Sequence, residues 1–296
     1  MKALVAGWFS FEEMGATAGD LIARDLVCDW LAAAGREFDV AVAPPFSGGV
    51  DWRQVDPARY GEVIFVCGPL GNGWPVTGFL DRFSGHRLIG LNLSLIEPLE
   101  VWNPFDLLLE RDSSRASRPD VTFLADTAKV PVAGVVLVHP QKEYPGAMHA
   151  AANDAIARLT ASRELAAVPI DTRLDVNGTG LRTAAEVESL IARMDVVLTT
   201  RLHGMVLAIK NGVPPLVIDP IAGGRKVMTQ AKAIGWNAVF TAGELDDERL
   251  RAALAYCLSA EARAEVMRLR ERVLDSVRET RDVFIAAVAP AVAGKT

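Results

Sequence analysis

Cysteine is scarce in this chain, and the three present, Cys28, Cys67 and Cys257, lie too far apart for the paired spacing of a metal site or a disulfide framework. They read as buried thiols. No apolar run is long enough to span a membrane. The first eleven residues, MKALVAGWFSF, are followed by Glu12, Glu13 and glycines rather than by a small-residue cleavage site or about 20 apolar residues. They read as a first buried strand, and a cytoplasmic location is the default expectation. Positive charge is not in excess, because 31 Lys and Arg face 37 Asp and Glu, a formal charge of −6. That balance excludes broad nucleic-acid binding, which needs cations against many phosphates, but leaves room for a small basic pocket. Three of the four histidines, His86, His139 and His149, show no HExxH-type ligand spacing, and no paired carboxylates suggest a glycosidase. No metal is called for.

What the chain has is size and alternation. Its 296 residues suit two domains, each able to bury its own core, and half of them are apolar with few aromatics, a folded composition. Apolar runs of strand length alternate with helical periodicity, which points to a parallel α/β architecture. Strands are expected at Lys2 to Gly7, Phe38 to Ala43, Glu62 to Cys67, Arg87 to Leu93, Asp106 to Leu109 and Val121 to Leu124. Between the first two, Leu21, Ile22, Leu26, Trp30 and Leu31 recur at the helical period, with Thr17 and Asp20 as a capping pair and Gly35 as a stop.

The segment Asp126 to Gly134 contains Pro131 and Gly134 and reads as a linker. Beyond it, strands are expected at Val135 to Val138, Ala167 to Ile170, Val196 to Thr199, Leu216 to Ile218 and Ala238 to Phe240. Helices are expected near Ala147 to Ser162, Thr183 to Arg193, Met205 to Lys210, Lys226 to Ile234 and Glu244 to Leu258, with a long charged helix from Ser259 to about Ala287. The pattern predicts two Rossmann-like domains, residues 1–128 and 129–296, facing each other across a cleft. In such sheets ligands sit beyond the carboxyl ends of strands.

The most informative stretch is VVLTTRLHGMVLAIKNGVPPLVID, Val196 to Asp219. Arg201, His203 and Gly204 stand where a strand passes into a short helix, so backbone amides of its first turn and the positive end of its dipole suit an anion. Arg201 can grip a carboxylate or phosphate with two nitrogens, and His203 can exchange a proton near neutral pH. An ordinary turn is the competing reading, with Arg201 paired to an acid and His203 capping the helix. CGPLGNG, Cys67 to Gly73, follows a strand as a glycine-rich cleft loop, but it is neither GxGxxG nor a Walker loop.

The whole string from Asp195 to Lys226 resembles the C-terminal signature of polysaccharide pyruvyl transferases, in which an RLHG-type motif precedes a short helix, a G-x-P turn, a strand and a lysine. LLLERDSSR, Leu107 to Arg115, is similar to that family's Arg-Asp-x-x-Ser element, with Arg111 and Asp112 matching and Arg115 in the serine's place. MGATAGDLI, Met14 to Ile22, resembles its Gly-x-x-Asn-x-Gly-Asp element, keeping Gly19 and Asp20, with Met14 for the first glycine and Thr17 for the asparagine.

The resemblance implies a GT-B-like two-domain fold and transfer of the pyruvyl group of phosphoenolpyruvate onto hydroxyls of a glycan or other acceptor, with phosphate released and no cofactor. It implies an acceptor side in the first domain and a donor site around RLHG in the second. Arg111, Arg201, Lys226 and Gly204 are then the substrate-binding candidates, and His203 the acid that protonates the donor's methylene carbon. Arg225 can replace Lys226, and Arg111 can instead pair with Asp112 or Glu110. Glu12, Glu13 and Asp20 lie where a base is needed, and the sequence does not choose among them. The alternatives are a nucleotide-sugar glycosyltransferase of the GT-B type and a non-catalytic anion-binding relative.

Overall fold

A computed structural model describes residues 1–139 and 146–289 and divides the chain into two units, Met1–Ala128 and Lys129–Thr296. The N-terminal unit runs β1 (Lys2–Ala6), α1 (Ala18–Ala33), β2 (Phe38–Val40), β3 (Tyr60–Leu70), α2 (Val76–Arg82), β4 (Arg87–Leu95) and β5 (Leu107–Leu109). Its strands are all parallel in the order β2-β1-β3-β4-β5. The C-terminal unit runs β6 (Val132–Val136), α3 (His149–Ala161), β7 (Ala166–Pro169), α4 (Ala184–Ile191), β8 (Val196–Thr199), α5 (Leu202–Lys210), β9 (Pro215–Asp219), α6 (Lys226–Ile234), β10 (Val239–Thr241), α7 (Asp247–Cys257) and α8 (Ala260–Val288). Its parallel sheet reads β7-β6-β8-β9-β10, so the two units share one doubly wound order. In that order the direction in which strands are added reverses between β1 and β3 and between β6 and β8, and the crevice beyond the carboxyl ends of such strands is where folds of this type bind ligands.

Each sheet is covered on both faces, which is why its strands read as unbroken Val, Ile and Leu runs. In the N-terminal unit one face packs Phe11, Phe65, Phe79 and Phe83, and the other packs Ala3, Val5, Ala23 and Val27 from α1. In the C-terminal unit Leu198, Met205, Leu216 and Ile218 fill one face, and Val136, Ile191, Val197 and Ala208 the other. The Thr17–Asp20 pair forms the expected capping box on α1, with the Asp20 carboxylate accepting from the Thr17 backbone at 2.7 Å. Among the described residues no helix is long and apolar enough to cross a membrane.

Two local expectations differ from the structure, and one helix has no counterpart among them. Val121–Leu124 is a short 3-10 turn rather than a strand: the Asp120 carboxylate accepts from Thr122 N at 2.8 Å and starts the turn, and Phe123 and Leu124 stay exposed. The expected linker overlaps β6, because Pro131 sits just before the strand, where its missing N–H costs nothing. Gly134 within β6 is required by crowding, since a Cβ there would lie 2.9 Å from Met194 and 3.0 Å from Ile170. The seven-residue α2, interrupted by Gly78, gave no periodic signal long enough to read.

Candidate anion site in the C-terminal unit

The site is built on two successive threonines. Thr199 ends β8, its hydroxyl donating to the Val136 carbonyl at 2.8 Å and accepting the Arg201 N–H at 2.9 Å. Thr200 accepts from Val138 N at 2.8 Å. These bonds tie the end of β8 to the end of β6, the point at which the sheet order reverses. The chain then enters α5 with Arg201 in the N-cap position and no side chain capping the helix. An uncapped helix start is a place for an anion, because the first-turn amides have no partner in the helix itself.

Arg201, Leu202 and His203 line a cavity of about 290 Å³ with Val138, Thr200, Asp219, Pro220, Ile221, Lys226 and Val227. Three sequence candidates, Arg201, His203 and Lys226, thus meet in one pocket beyond β8 and β9. His203 is exposed at its wall, and Lys226 opens α6. Gly204 is placed differently. It faces the sheet, and a Cβ on it would lie 2.2 Å from Thr199 Oγ1 and 2.9 Å from Val136 Cγ1. Its absent side chain lets α5 seat against β8 and β6, which fixes where Arg201 and His203 point.

Two acids that the sequence reading passed over organise this pocket. Asp219, fully buried at the end of β9, accepts from Ile221 N at 3.1 Å, Arg225 N at 2.7 Å and Met228 N at 2.9 Å. It therefore spends its charge on capping α6. Asp171 follows β7 and accepts from Arg201 Nη1 at 3.3 Å and His139 Nε2 at 3.1 Å. Burial opposes its charge, but the Arg173 and Gly178 backbone N–H groups and His139 outweigh that and hold its pKa below the ordinary carboxylate value. A lone aspartate after a short strand carries no sequence signal that would have found it. The bonds form because β6, β7 and β8 are neighbours only in the folded sheet.

Arg111 belongs to the N-terminal unit. Its guanidinium binds Asp120 at 2.9 Å, Asp112 at 3.2 Å and the Ser94 hydroxyl. It lines a second cavity of about 290 Å³ with Met14, Thr17, Gly19, Asp20, Cys67 and Gly68, so the two weaker motifs converge there. Glu110 pairs instead with Arg115 and Arg118, at 2.8 and 2.9 Å. Cys67, which lines this pocket, and Asn92 beside it both have left-handed backbone, φ 67° and 56°, and Asn92 Nδ2 donates to Cys67 Sγ at 3.4 Å. Such conformations cost about 1–3 kcal/mol each and persist where surrounding structure enforces them.

Comparison with known proteins adds the family. No curated protein matches the chain. Solved structures that align with it include the spinosyn forosaminyltransferase SpnP, at 13% identity over 96% of this chain and 99% of that one, with a TM-score of 0.35. The glycotransferase of kitacinnamycin aligns at 12% identity over 97% and 98%, with a TM-score of 0.36. The Methanocaldococcus jannaschii UDP-GlcNAc 2-epimerase aligns at 9% identity over 91% and 99%, with a TM-score of 0.31. The family model for polysaccharide pyruvyl transferase matches residues 18–220, a span that holds Gly19, Asp20, Arg111 and the RLHG turn and stops short of Lys226. With its two parallel α/β sheets and that match over most of its length, the chain belongs to the polysaccharide pyruvyl transferase family.

Proposed function

We propose that the protein is a ketal-forming pyruvyl transferase that takes phosphoenolpyruvate as donor and a saccharide or other hydroxyl-bearing molecule as acceptor. The observation that carries this reading is the convergence of Arg201, His203 and Lys226 on one cavity beside the uncapped start of α5. Phosphoenolpyruvate bears a phosphate and a carboxylate, and this set offers a fork-shaped cation, a point cation and helix amides to hold them. His203 stands at the wall as the proton donor to the methylene carbon. Arg111 serves substrate binding from the N-terminal pocket that Gly19 and Asp20 also line, which we assign to the acceptor side.

Calorimetric titration with phosphoenolpyruvate, alongside nucleotide sugars, tests the donor. The expected result is binding of phosphoenolpyruvate that Arg201→Ala weakens. Binding of a nucleotide sugar with no response to phosphoenolpyruvate would replace this reading with the glycosyltransferase one.

A further inference from the structure

Asp171 carries four donors on two oxygens. Oδ1 accepts from Arg173 N at 2.9 Å and Arg201 Nη1 at 3.3 Å, and Oδ2 accepts from Gly178 N at 3.2 Å and His139 Nε2 at 3.1 Å. The loop that follows closes around it, with the Thr179 hydroxyl accepting the Asp171 N–H at 3.2 Å and Asn177 Nδ2 donating to its carbonyl at 2.9 Å. A carboxylate so fully used cannot turn, and it holds two side chains still. It tethers Arg201 by a single nitrogen, and among the described residues Nε and Nη2 have no other partner, so that edge remains for the cavity. It also fixes the His139 tautomer. An ionised carboxylate only accepts, so Nε2 carries the hydrogen and Nδ1 keeps its lone pair. Nδ1 has no partner among the described residues, the side chain is 48% exposed, and the preceding Val138 lines the cavity.

We propose that His139, oriented by Asp171, is the general base that removes the acceptor hydroxyl's proton. The proposal rests on the pyruvyl-transfer reading above and supplies the base that the sequence left unassigned. Forming a pyruvate ketal joins two acceptor oxygens to C2 of phosphoenolpyruvate, adds one proton to C3 and breaks the bond from C2 to the phosphate oxygen. Two O–H bonds break, so two protons must be placed. One replaces the proton that His203 gives to C3. The other passes to His139 Nδ1 as a C2–O bond forms, and from there to the departing phosphate. No redox partner is needed. Asp171 stabilises the imidazolium formed in between, and Arg201, on the other oxygen of the same carboxylate, keeps that carboxylate charged. Among the described residues Asp171 is the charged group bonded to His139, and Arg201 is bonded to Asp171.

The test uses the full-length protein with phosphoenolpyruvate and a panel of saccharide acceptors, following phosphate release across pH and donor affinity by calorimetry. His139→Gln should bind phosphoenolpyruvate within about twofold of wild type while kcat falls by about 10² to 10⁴, the usual worth of a positioned base. The acid limb of the kcat/KM profile should vanish with it. Asp171→Asn should lower kcat more than it lowers phosphoenolpyruvate affinity, because an amide can donate to Nε2 and so move the hydrogen onto Nδ1, an effect that a packing role would not produce. Circular dichroism checks that each variant folds, and His139→Asn stands as the second variant. Wild-type turnover and an unchanged acid limb in folded His139→Gln or His139→Asn would overturn the proposal. A wild-type protein that neither binds phosphoenolpyruvate nor releases phosphate would instead remove the donor reading and the base with it.

Discussion

Replacing Gly204 with alanine asks whether the glycine of RLHG serves the ligand or the packing. The added methyl would stand 2.2 Å from Thr199 Oγ1, 2.9 Å from Val136 Cγ1 and 3.0 Å from Thr199 Cβ. None of these atoms can yield cheaply, since Thr199 is fully buried in β8 with its hydroxyl bonded to Val136 O at 2.8 Å and Arg201 N at 2.9 Å. Overpacking of this kind costs about 1–3 kcal/mol, and so close a contact belongs at the upper end. Alanine's helix propensity returns up to about 1 kcal/mol, leaving a net loss of about 2 kcal/mol. At about 2–4 °C per kcal/mol for a unit of this size, the melting temperature should fall by about 4–8 °C. Differential scanning calorimetry reads the shift. Thr199→Ala loses its own hydrogen bonds, yet the double variant should be more stable than the sum of the two losses, because the hydroxyl that meets the new methyl is gone. A Gly204→Ala variant with a wild-type melting temperature and weakened donor binding would refute the packing account and make Gly204 a ligand contact.

Further expectations follow from the same contacts. Arg201→Ala should weaken phosphoenolpyruvate binding by about 10- to 100-fold in calorimetry, the range of a charge-assisted hydrogen bond, and an unchanged affinity would remove Arg201 from the donor site. Glu110 is held down to about 2 from 4.5, first by its hydrogen bond from Arg115 and then, against burial, by its own backbone N–H and by Arg118. Its folded pKa is depressed, so its stabilisation is complete above about pH 4.5 and lost as pH falls toward 2. Urea unfolding of wild type and Glu110→Gln should therefore differ at neutral pH and converge through that window; a pH-independent gap contradicts the assignment. Burial pushes the Cys28 and Cys67 thiols up to about 11 and Cys257 to about 12. At pH 8 the native protein should react slowly with a thiol reagent and yield three equivalents only when unfolded, whereas rapid native labelling would show an open thiolate.

Much of the fold is legible because each sheet is buried on both faces. Unbroken apolar runs such as Val196–Thr199 can hardly be anything but central strands, and Lys226–Ile234 begins and ends where its period does. The reading failed where one residue's side-chain bond decided the backbone, as with the Asp120 cap that turns Val121–Leu124 into a 3-10 turn. It failed again where Pro131 and Gly134 looked like linker residues but stand before a strand and within it, Gly134 packed against Met194 and Ile170. In the site, Arg201, His203 and Lys226 were readable from a motif, while Asp219 and the Asp171–His139 pair were not.

The sequence by itself determined the alternation of strands and helices, the strand-to-helix turn that carries RLHG, and the resemblance that names the family. Those are local patterns of period and motif, complete within a few dozen residues. Tertiary structure alone decided that Gly204 seats α5 against β8 and β6, that Asp219 spends its charge on a helix, and that Asp171 ties His139 to Arg201. These groups are separated by about 30 residues of chain, and only the pairing of β6 with β7 and β8 brings their ends within hydrogen-bond reach.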